Sequence, residues 1–543
     1  MLKFRFTLLL VGWLASWTAG CATPWTRKDV VIYGATSAGV IAAVQAARMD
    51  RSVVLIEPSR HVGGLTTSGL GSTDFGNKQV IGGLSREFYQ RIKQHYDQPR
   101  AWRYERPEDY KRYRSQDDTM WTFEPGVAEQ VFQDMLREQG IKVVYGQRLK
   151  PRRGVVKRGQ RIDAIRMESG RTFAGRMFID ATYEGDLLAQ AGVSYFVGRE
   201  PNALYGETLN GVQHQHAVHH QFVKPVDPYI VPGKPSSGLL PGVNNRPGTD
   251  GQGDRRVQAY NYRICMTDVP ENRVPFPKPA DYDEREYELL FRNFEADDMR
   301  LPLGISMMPN RKTDVNNNFA VSTDYIGMNY DYPESHNPRR ERIRHAHETY
   351  MKGLLWTLQN HPRVPAPIRE KMAKWGLAKD EFEDNGHWPR TLYIREARRM
   401  VSDYVITEHD CMWRRRAKDG VGLGSYNMDS HNTQRFVTTE GYVRNEGDVQ
   451  ISPKGPYPIP YRSIVSRRGE CDNLLVPVCI SASHIAFGSV RMEPVFMVLG
   501  QSAATAASLA IDQGAPVQEV DIARLRERLR KDGQVLTWDG WDR

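Results

Sequence analysis

The order of apolar and polar residues predicts a strand, a glycine-rich turn and a helix near the start of the chain. Residues 29–33 (DVVIY) form a short apolar run that is typical of a buried parallel strand. The turn 34–39 (GATSAG) follows, and the small helix-forming residues of 40–48 (VIAAVQAAR) predict a helix. A second apolar run, 52–56, predicts the next strand. Strands that alternate with helices in this way indicate a parallel α/β sheet.

The turn and the residue that ends the second strand together indicate a dinucleotide site. Gly34 would make the tight turn, Gly39 would let the helix pack closely, and the helix N-terminus offers backbone N–H groups to a pyrophosphate. Glu57 lies where an acidic residue can accept hydrogen bonds from ribose hydroxyls. Thr36 replaces the usual middle glycine, so its hydroxyl and that of Ser37 are candidate donors to a phosphate oxygen. A βαβ unit without any ligand is the alternative interpretation.

Five later segments extend this pattern. Residues 61–76 (HVGGLTTSGLGSTDFG) form a second glycine-rich loop, and 140–149 predict a strand. Residues 163–182 predict a hairpin whose second strand ends in Asp-Ala-Thr. Residues 474–480 predict a strand, and the residues from Pro494 onward have helical spacing with proline in the first turn. No second strand-turn-helix suited to a nicotinamide dinucleotide occurs.

These segments resemble the FAD-binding fold of the glutathione-reductase class in its single-nucleotide branch. More narrowly, the chain is similar to the bacterial FAD-dependent oxidoreductase family. Tyr183 departs from the family, in which glycine follows Ala-Thr at the end of the strand beneath the cofactor. The motifs that carry the resemblance extend from about residue 29 to 508 and include YGATSAG, HVGGLTTSGLGSTD, IGGLSREFY, FIDATYEGDLLAQAG, KTDVNNNFAVSTD, REARRMVSDYVITEHD, GSYNMDSH, PYPIPYRSIV and SASHIAFGSVRMEPVFMVLGQSAATAA.

The resemblance implies an α/β fold with FAD as cofactor. A Rossmann-like FAD-binding domain, a parallel sheet with a β-meander, would be interrupted by an inserted α+β substrate domain. The expected division is an export signal over 1–22, the FAD-binding domain over 28–200 and 465–515, the substrate domain over 201–464 and a helical tail over 516–543. The Pro- and Asn-rich segments of the middle interval are typical of loops, while 259–267 (AYNYRICMT) predict an alternating strand and 335–375 have a helical pattern.

The same resemblance implies the cofactor contacts. They would come from the turn, the second glycine-rich loop, the ends of strands and the start of the C-terminal helix. The expected residues are Gly34, Thr36, Ser37, Ala38, Gly39, Glu57, Gly63, Gly64, Leu149, Ala181, Thr182, Asp186, Ser489, Met492 and Glu493. Arg491 precedes the C-terminal helix, whose N-terminus would point to the pyrimidine edge of the flavin, so its charge would stabilise anionic reduced flavin.

Histidine is the expected base for an oxidation by hydride transfer, because its pKa lies in the useful range. His484, in a predicted loop seven residues before Arg491, is the first candidate, and a purely structural histidine is the alternative. His431 and His409 are competing candidates in the middle interval.

Two arginines are candidates for holding the substrate, and one further histidine for holding the cofactor. Arg462 and Arg395 could bind an anionic or polyhydroxylated substrate. The alternative for both is a buried ion pair with Glu396, Glu408 or Asp410. His61 lies in the loop after Glu57, where some flavoproteins attach the flavin covalently; a histidine packed near the phosphates is the favoured alternative.

The expected function is oxidation of a small polar organic substrate, with a carbohydrate as one candidate, by hydride transfer to FAD. The electrons would pass to an unidentified acceptor. The alternatives are a flavin-dependent reductase, a flavoenzyme without net redox change, and a carbohydrate-binding lipoprotein on a degenerate flavoprotein fold.

Composition and charge exclude some partners. The net charge of +9 is distributed over mixed-sign runs such as ERPEDYKRYR, which is typical of a solvated surface, so no nucleic-acid partner is expected. No segment after the N-terminus has 18 consecutive apolar residues. Four cysteines, Cys265, Cys411, Cys471 and Cys479, permit three disulfide pairings and establish none, and zinc is not expected because no CxxC occurs.

The N-terminus has the order of an export signal. Lys3 and Arg5 precede an apolar run over 7–17, and small residues follow up to Cys21. A cysteine after Ala-Gly resembles the lipobox of bacterial lipoproteins, with Thr18 as a departure from the preferred leucine. The sequence therefore predicts an exported, periplasmic or cell-envelope protein with a lipid anchor on Cys21. Ordinary signal cleavage near Ala22 is the alternative.

Overall fold

The computed structural model describes residues 27–542. The predicted export signal and Cys21 lie outside these residues. A mixed sheet forms the N-terminal region, with the strand order β3-β2-β1-β6-β5-β4. Its strands are β1 (Arg27–Tyr33), β2 (Val53–Ile56), β3 (Val143–Val144), β4 (Val155–Arg158), β5 (Arg161–Arg166) and β6 (Thr172–Asp180).

The sheet combines a parallel half with an antiparallel meander. β1 pairs in parallel with both β2 and β6, and its buried apolar run makes it a central strand. β4, β5 and β6 form the meander, as the hairpin pattern predicted. Strand Leu474–Leu475 joins β6 in parallel, so the C-terminal region returns to the first sheet. This strand is shorter than the predicted 474–480, since Pro477 has no N–H to donate to a ladder.

Two helices from opposite ends of the described chain pack on this sheet. α1 (Ser37–Arg48) follows the turn, and the core helix (Glu493–Gln513) crosses it so closely that a Cβ on Gly500 would collide with the Ala38 carbonyl. α2 (Gly83–Tyr96) and α3 (Pro125–Glu138) pack beside them. The core helix is long and apolar enough to span a membrane, and it is entirely buried in the fold.

The middle interval has its own antiparallel sheet and helices. The sheet order is Arg273–Val274, Gly376–Ala378, Met266–Thr267, Lys312–Asn317 and Leu303–Met308. Only Met266–Thr267 of the predicted strand 259–267 is a strand, because its earlier residues make isolated bridges instead. The helices predicted near 335–375 are Asn337–Asn360 and Ala366–Ala373.

Short elements complete the fold. The remaining helices are Asp186–Gln190, Asn202–Tyr205, Glu288–Glu295, Glu408–Cys411, His484–Val490 and Ile522–Lys531. The remaining strands are Tyr195–Phe196, Val243–Asn244, Arg399–Met400, Gly420–Gly424, Met428–Ser430, Gln434–Val437, Val443–Glu446, Val449–Ile451 and Tyr457–Pro460. The predicted fold class, a Rossmann-like domain with a β-meander plus an α+β region, is confirmed. The four cysteines of the described chain are free and buried.

Candidate functional site

The turn after β1 has the backbone geometry of a phosphate-binding turn. Gly34 has a φ of 96°, and a Cβ there would lie 2.9 Å from backbone atoms of Ala181 and Thr182. A Cβ on Gly39 would collide with the Gly34 carbonyl. Both positions therefore require glycine: the first for its left-handed conformation, the second for the close approach of α1.

Thr36 caps α1, and its hydroxyl is engaged within the turn. Its Oγ1 donates to the Ala181 carbonyl at 2.7 Å and accepts from the Gly39 N–H at 3.4 Å. α1 begins at Ser37, three residues before the predicted start, because threonine is a favoured N-cap residue. The hydroxyl proton of Thr36 is thus used by the protein, and the expectation that it donates to a phosphate is not met in this structure.

Glu57 follows β2 directly and faces the turn. One carboxylate oxygen accepts from the Ala35 N–H and the other from the Ser59 N–H, each at 2.7 Å. Burial raises the pKa of Glu57, and these two hydrogen bonds oppose that rise. The carboxylate is held directly beside Gly34, where each oxygen keeps a further lone pair for a ribose hydroxyl.

The turn opens into a cleft with a cavity volume of about 130 Å³, between the first sheet and the middle interval. One wall contains Gly34, Thr36, Glu57, Pro58, Ser59, His61, Gly64, Thr67, Ser68, Arg148, Thr182, Tyr183 and Glu184. The other wall contains Tyr332, Arg344, Arg390, Thr391, Leu392 and Ile394. No motif identified the residues of the second wall, because they come from a helix and from irregular segments that only the tertiary structure brings to the cleft.

A second, smaller cavity lies at the start of the core helix. Its cavity volume is about 10 Å³, which is room for about one water molecule, and it is lined by Thr66, Leu70, Thr73, Asp74, Tyr89, Phe123, Tyr393, Arg491, Met492 and Glu493. Arg491 donates from Nη1 to the Tyr393 hydroxyl at 3.1 Å and from Nη2 to the Asp429 carbonyl at 3.0 Å. Its Nε has no hydrogen-bond partner within the described residues. Met492 is the N-cap of the core helix, so the positive end of the helix dipole lies at this cavity.

Glu493 connects the two cavities. Its buried carboxylate accepts hydrogen bonds from Ser37 Oγ at 2.6 Å, Thr66 Oγ1 at 2.8 Å and the Tyr183 hydroxyl at 2.9 Å. Tyr183 in turn accepts from the Leu65 N–H at 3.0 Å. Burial raises the pKa of Glu493, and the three donors oppose that rise. The sequence pointed to this network only through Tyr183, which stands where the family motif has glycine.

His484 does not have the predicted environment. It is the first residue of helix His484–Val490 rather than part of a loop, and it is 2% exposed. Its Nδ1 lies 2.9 Å from the Glu396 carboxylate, and its Nε2 lies 3.1 Å from Ser430 Oγ. Both ring nitrogens are engaged by the protein, and the residue lines neither cavity. The predicted loop is therefore wrong, and the role of His484 as catalytic base stays a prediction that these contacts do not support.

The two candidate substrate arginines also lie elsewhere. Arg462 is on the surface, with its side chain 48% exposed, and forms an ion pair with Asp419 at 2.9 Å. Its role in substrate binding stays a prediction, and its surface ion pair does not support that role. Arg395 is buried and lies 3.0 Å from Asp324, an ion pair with a different partner from those expected. His409 is engaged by the Tyr205 carbonyl at 3.1 Å.

Three predicted cofactor contacts are held by protein partners. The Leu149 N–H donates to the Tyr33 hydroxyl at 2.8 Å, and the neighbouring Arg148 lines the cleft instead. Asp186 pairs with Arg340 at 2.6 Å and Arg398 at 2.7 Å. Ser489 donates to the Tyr426 carbonyl and accepts from the Tyr457 hydroxyl. These side chains hold the two regions of the fold together.

The other predicted contacts surround the cleft. Ala38 and Ala181 are buried beneath the turn, and Thr182 lines the cleft. Gly63 and Gly64 have positive φ angles, and a Cβ on Gly64 would collide with the Tyr183 hydroxyl. A contact between any of these residues and a cofactor stays a prediction.

His61 lies at the mouth of the cleft between two carboxylates. Its Nδ1 is 2.9 Å from Glu129 and its Nε2 is 2.8 Å from Asp384, which belongs to the middle interval. The hydrogen bond to Glu129 is the main cause that raises the pKa of His61, while partial burial and Arg390 act in the opposite direction. Both nitrogens are engaged, an arrangement that favours an ion-pair contact over covalent attachment to a flavin.

The residues present fit a dinucleotide. Gly34 and Gly39 allow the turn, α1 and the end of β6 to pack closely, and Thr36 at the N-terminus of α1 and Glu57 both line the cleft. An acidic residue at the end of the second strand can accept hydrogen bonds from ribose hydroxyls, and a helix N-terminus can bind pyrophosphate. Fold and site together define a dinucleotide-binding α/β protein whose sheet, turn and returning C-terminal helix are those of a flavoprotein.

The family model described as FAD dependent oxidoreductase matches residues 29–529. The chain belongs to this family, whose cofactor is FAD. No curated protein matches it in sequence.

Solved structures of flavoenzymes match part of the chain. A flavin-containing monooxygenase from Stenotrophomonas maltophilia is 16% identical over 33% of this chain and 43% of its own, with a TM-score of 0.19. An L-amino acid deaminase from Proteus vulgaris is 14% identical over 32% of this chain and 52% of its own, with a TM-score of 0.23. The chain thus spans about half the length, or less, of these proteins.

Proposed function

We propose that this protein oxidises a small polar organic substrate, with a carbohydrate as one candidate, by hydride transfer to FAD. FAD, when bound, supplies the two-electron acceptor. The observation that carries this proposal is the position of Arg491 and the core-helix N-terminus in a closed cavity next to the dinucleotide cleft. A positive charge and a helix dipole at one place favour a cofactor that gains negative charge during reaction.

The lining of the smaller cavity supports a polar substrate. Asp74 offers carboxylate acceptors, Arg491 offers donors and Tyr393 offers a hydroxyl, while Leu70 and Phe123 supply apolar contacts. Guanidinium and carboxylate charges face each other here, so the cavity favours a neutral ligand with several hydroxyl groups over a strongly charged ligand. A small carbohydrate has this chemistry, and because the cavity has room for only about one water molecule, its lining side chains would have to move apart to admit such a ligand.

The protein also supplies fixed electrostatics for an oxidation. Arg491 is held by Tyr393 and by the backbone of Asp429, so its charge is fixed in place before a ligand arrives. A fixed charge of this kind needs no reorganisation during the reaction.

We further propose that the protein is exported and anchored in the cell envelope through a lipid on Cys21, with an unidentified electron acceptor as its partner. The order of charged, apolar and small residues before Cys21 supports this. The test is fractionation of cells that express the wild type or Cys21→Ser. Membrane association that is lost in the variant would support the anchor, and equal distribution of both proteins would contradict it.

The proposed reaction is tested with the purified mature protein. The oxidised protein should be yellow, and its flavin absorbance should bleach on anaerobic addition of one member of a panel of sugars, polyols and amines. Dithionite serves as the control that the bound flavin can be reduced. If only dithionite bleaches the protein and an unsaturated compound then restores the colour, the protein is a reductase. A colourless protein that takes up no FAD would favour a binding module.

A further inference from the structure

A third cavity, which we call the α2 pocket, lies where the start of α2 meets α1, the core helix and helix Ile522–Lys531. Its cavity volume is about 440 Å³. Gly83, Arg86, Gln501 and Arg528 are among the residues that line it. It shares no lining residue with the dinucleotide cleft or with the smaller cavity, so it is a separate site.

A buried side-chain amide in the wall of the α2 pocket has a donor without an acceptor. Gln501 is 0% exposed, and its Oε1 accepts from the Leu84 N–H at 2.9 Å. This contact fixes the orientation of the amide, because exchanging its two terminal atoms would bring two donors together. Within the described part of the chain, Nε2 makes no hydrogen bond. A buried donor without a partner is costly, so Nε2 indicates a ligand atom that accepts.

The amide of Gln501 faces the first residue of α2. A Cβ on Gly83 would collide with Oε1 of Gln501 and would lie 3.1 Å from its Nε2. α2 has 14 residues, and its N-cap Gly82 supplies no side-chain cap. The first two N–H groups of α2 are used by Gly533 and Gln501, so the helix contributes its dipole rather than free N–H groups. The dipole and the unused donor both favour a negatively charged ligand atom.

Two arginines add donors that the protein leaves unused. Arg528 donates from Nε to Asp532 at 2.8 Å, and Arg86 donates from Nη2 to Asp118 at 2.8 Å. Over residues 27–542, these are the side-chain atoms that the two arginines use in hydrogen bonds. Both Nη atoms of Arg528, and Nε and Nη1 of Arg86, are therefore available to a ligand.

The carboxylates that line the pocket are already paired. Both Nη atoms of Arg48 donate to Glu87, at 2.8 and 2.9 Å. Asp532 accepts from Gln45 Nε2 at 2.7 Å, in addition to the bond from Arg528. The unused hydrogen-bonding capacity of the pocket is therefore mainly that of donors. Guanidinium groups beside a helix N-terminus are suited to phosphate and carboxylate.

We propose that the α2 pocket binds a small molecule through an oxyanion, which is a phosphate or carboxylate group. One oxygen of the anion would accept from Gln501 Nε2, and the others would accept from the guanidinium groups of Arg86 and Arg528. Gln501 lies on the core helix, so the ligand contacts the same helix that begins at the smaller cavity. The proposal does not depend on the proposed oxidation, because it concerns a separate pocket.

The test uses the FAD-loaded protein, in which the cofactor fills the other site suited to phosphate. Isothermal titration calorimetry is performed with inorganic phosphate, glycerol 2-phosphate and acetate, at an ionic strength held constant with chloride. At least one of these anions should show saturable binding, and glycerol should show none. The anion that binds most tightly identifies the source as free phosphate, a phosphate ester or a carboxylate. Glycerol that binds as tightly as its phosphate ester would contradict recognition of an oxyanion.

Two variants and one control locate the anion. Arg528→Gln and Gln501→Glu should each raise the Kd of the bound anion by about tenfold or more, since each removes a donor to a charged group. Gln501→Glu keeps an acceptor for the Leu84 N–H and replaces the unused donor by an oxygen. Arg530→Gln is the matched control, because it removes the same charge from the same helix outside the pocket. It should keep the wild-type affinity.

Three results would overturn the proposal. Absence of saturable binding by any of the anions would show that water satisfies Gln501 Nε2. A loss of affinity in Arg530→Gln as large as in Arg528→Gln would indicate a general attraction by surface charge. Wild-type affinity in Arg528→Gln would place the anion elsewhere. This last variant should fold even if Gln501→Glu does not, because Arg528 is partly exposed and Asp532 keeps its bond from Gln45.

Discussion

Tyr183 donates a hydrogen bond of 2.9 Å to the buried carboxylate of Glu493, a residue 310 positions further along the chain. This contact joins the end of β6 to the start of the core helix. The same tyrosine accepts from the Leu65 N–H and lines the cleft. Its side chain therefore connects the cleft to Glu493, which lines the smaller cavity. Tyr183, which replaces the glycine of the family motif, therefore has a defined hydrogen-bond partner in Glu493.

Tyr183→Phe should destabilise the protein more than the removal of a tyrosine hydroxyl that donates to a neutral carbonyl. The variant leaves a buried carboxylate with one donor fewer, and a hydrogen bond to a charged group contributes about 1.5–3 kcal/mol. Tyr461→Phe is the matched control, because that hydroxyl donates to the neutral Val517 carbonyl and should contribute about 0.5–1.5 kcal/mol. Urea denaturation measures both free energies of unfolding. Equal losses would show that Glu493 does not depend on Tyr183.

Glu57→Ala should weaken FAD binding. The variant removes the acceptors for the ribose hydroxyls and the support of the Ala35 N–H, so we expect the Kd for FAD to rise by about tenfold or more. Asp186→Asn is the control, since Asp186 is engaged by Arg340 and Arg398. It should lower stability but keep the FAD affinity. The measurement is fluorescence titration of the apoprotein with FAD; a Glu57→Ala protein that binds FAD like the wild type would contradict the ribose role.

His61 should make stability depend on pH. Its pKa in the folded protein is raised above the value of about 6.5 of a free histidine, with the Glu129 hydrogen bond as the main cause. Its contribution to the free energy of unfolding is then complete below about pH 6.5 and is lost as the pH rises through the higher folded pKa. His61→Gln should therefore lose more stability at pH 6 than at pH 9. A loss that is the same at both values would show that the charge of His61 has no role.

The same variant separates the two interpretations of His61. FAD should be released when the wild-type protein is denatured in acid, because both ring nitrogens are engaged by carboxylates. Flavin that stays with the denatured wild type but leaves His61→Gln would demonstrate covalent attachment.

Arg491→Gln should lower the reduction potential of the bound flavin. The variant removes a positive charge that favours the reduced anion, and a loss of roughly 30–60 mV corresponds to about 1.4–3 kcal/mol for a two-electron couple. Arg462→Gln removes the same charge at the surface and should leave the potential unchanged. The measurement is an anaerobic dye titration of each variant with FAD bound. An unchanged potential in Arg491→Gln would place the charge away from the flavin.

Local patterns determined the elements and the turn. Three of these patterns each act over a few neighbouring residues: the apolar run of β1, the glycine at a left-handed position and the small residues of α1. The sequence therefore predicted the corresponding elements directly. The hairpin of β5 and β6 and the proline-started core helix were predicted for the same reason. Boundaries shifted where a single side chain decided them, as at the Thr36 cap and at Pro477.

The role of each polar side chain was decided by the tertiary structure. His484 and His431 are both histidines near polar motifs, and the sequence does not show that Ser430 engages one ring while the other keeps a free nitrogen. Arg462 and Arg491 differ because one is solvated on the surface and the other is enclosed at a helix start.

The sequence by itself thus determined the fold class and the dinucleotide turn, because strand, turn and helix patterns are set by neighbours in the chain, and its resemblance to a known family indicated FAD. The tertiary structure decided which hydrogen-bond partners and which burial each ionisable group receives, because these come from residues that are hundreds of positions apart. Protonation state and available lone pairs follow from those partners, and with them the chemistry of the site.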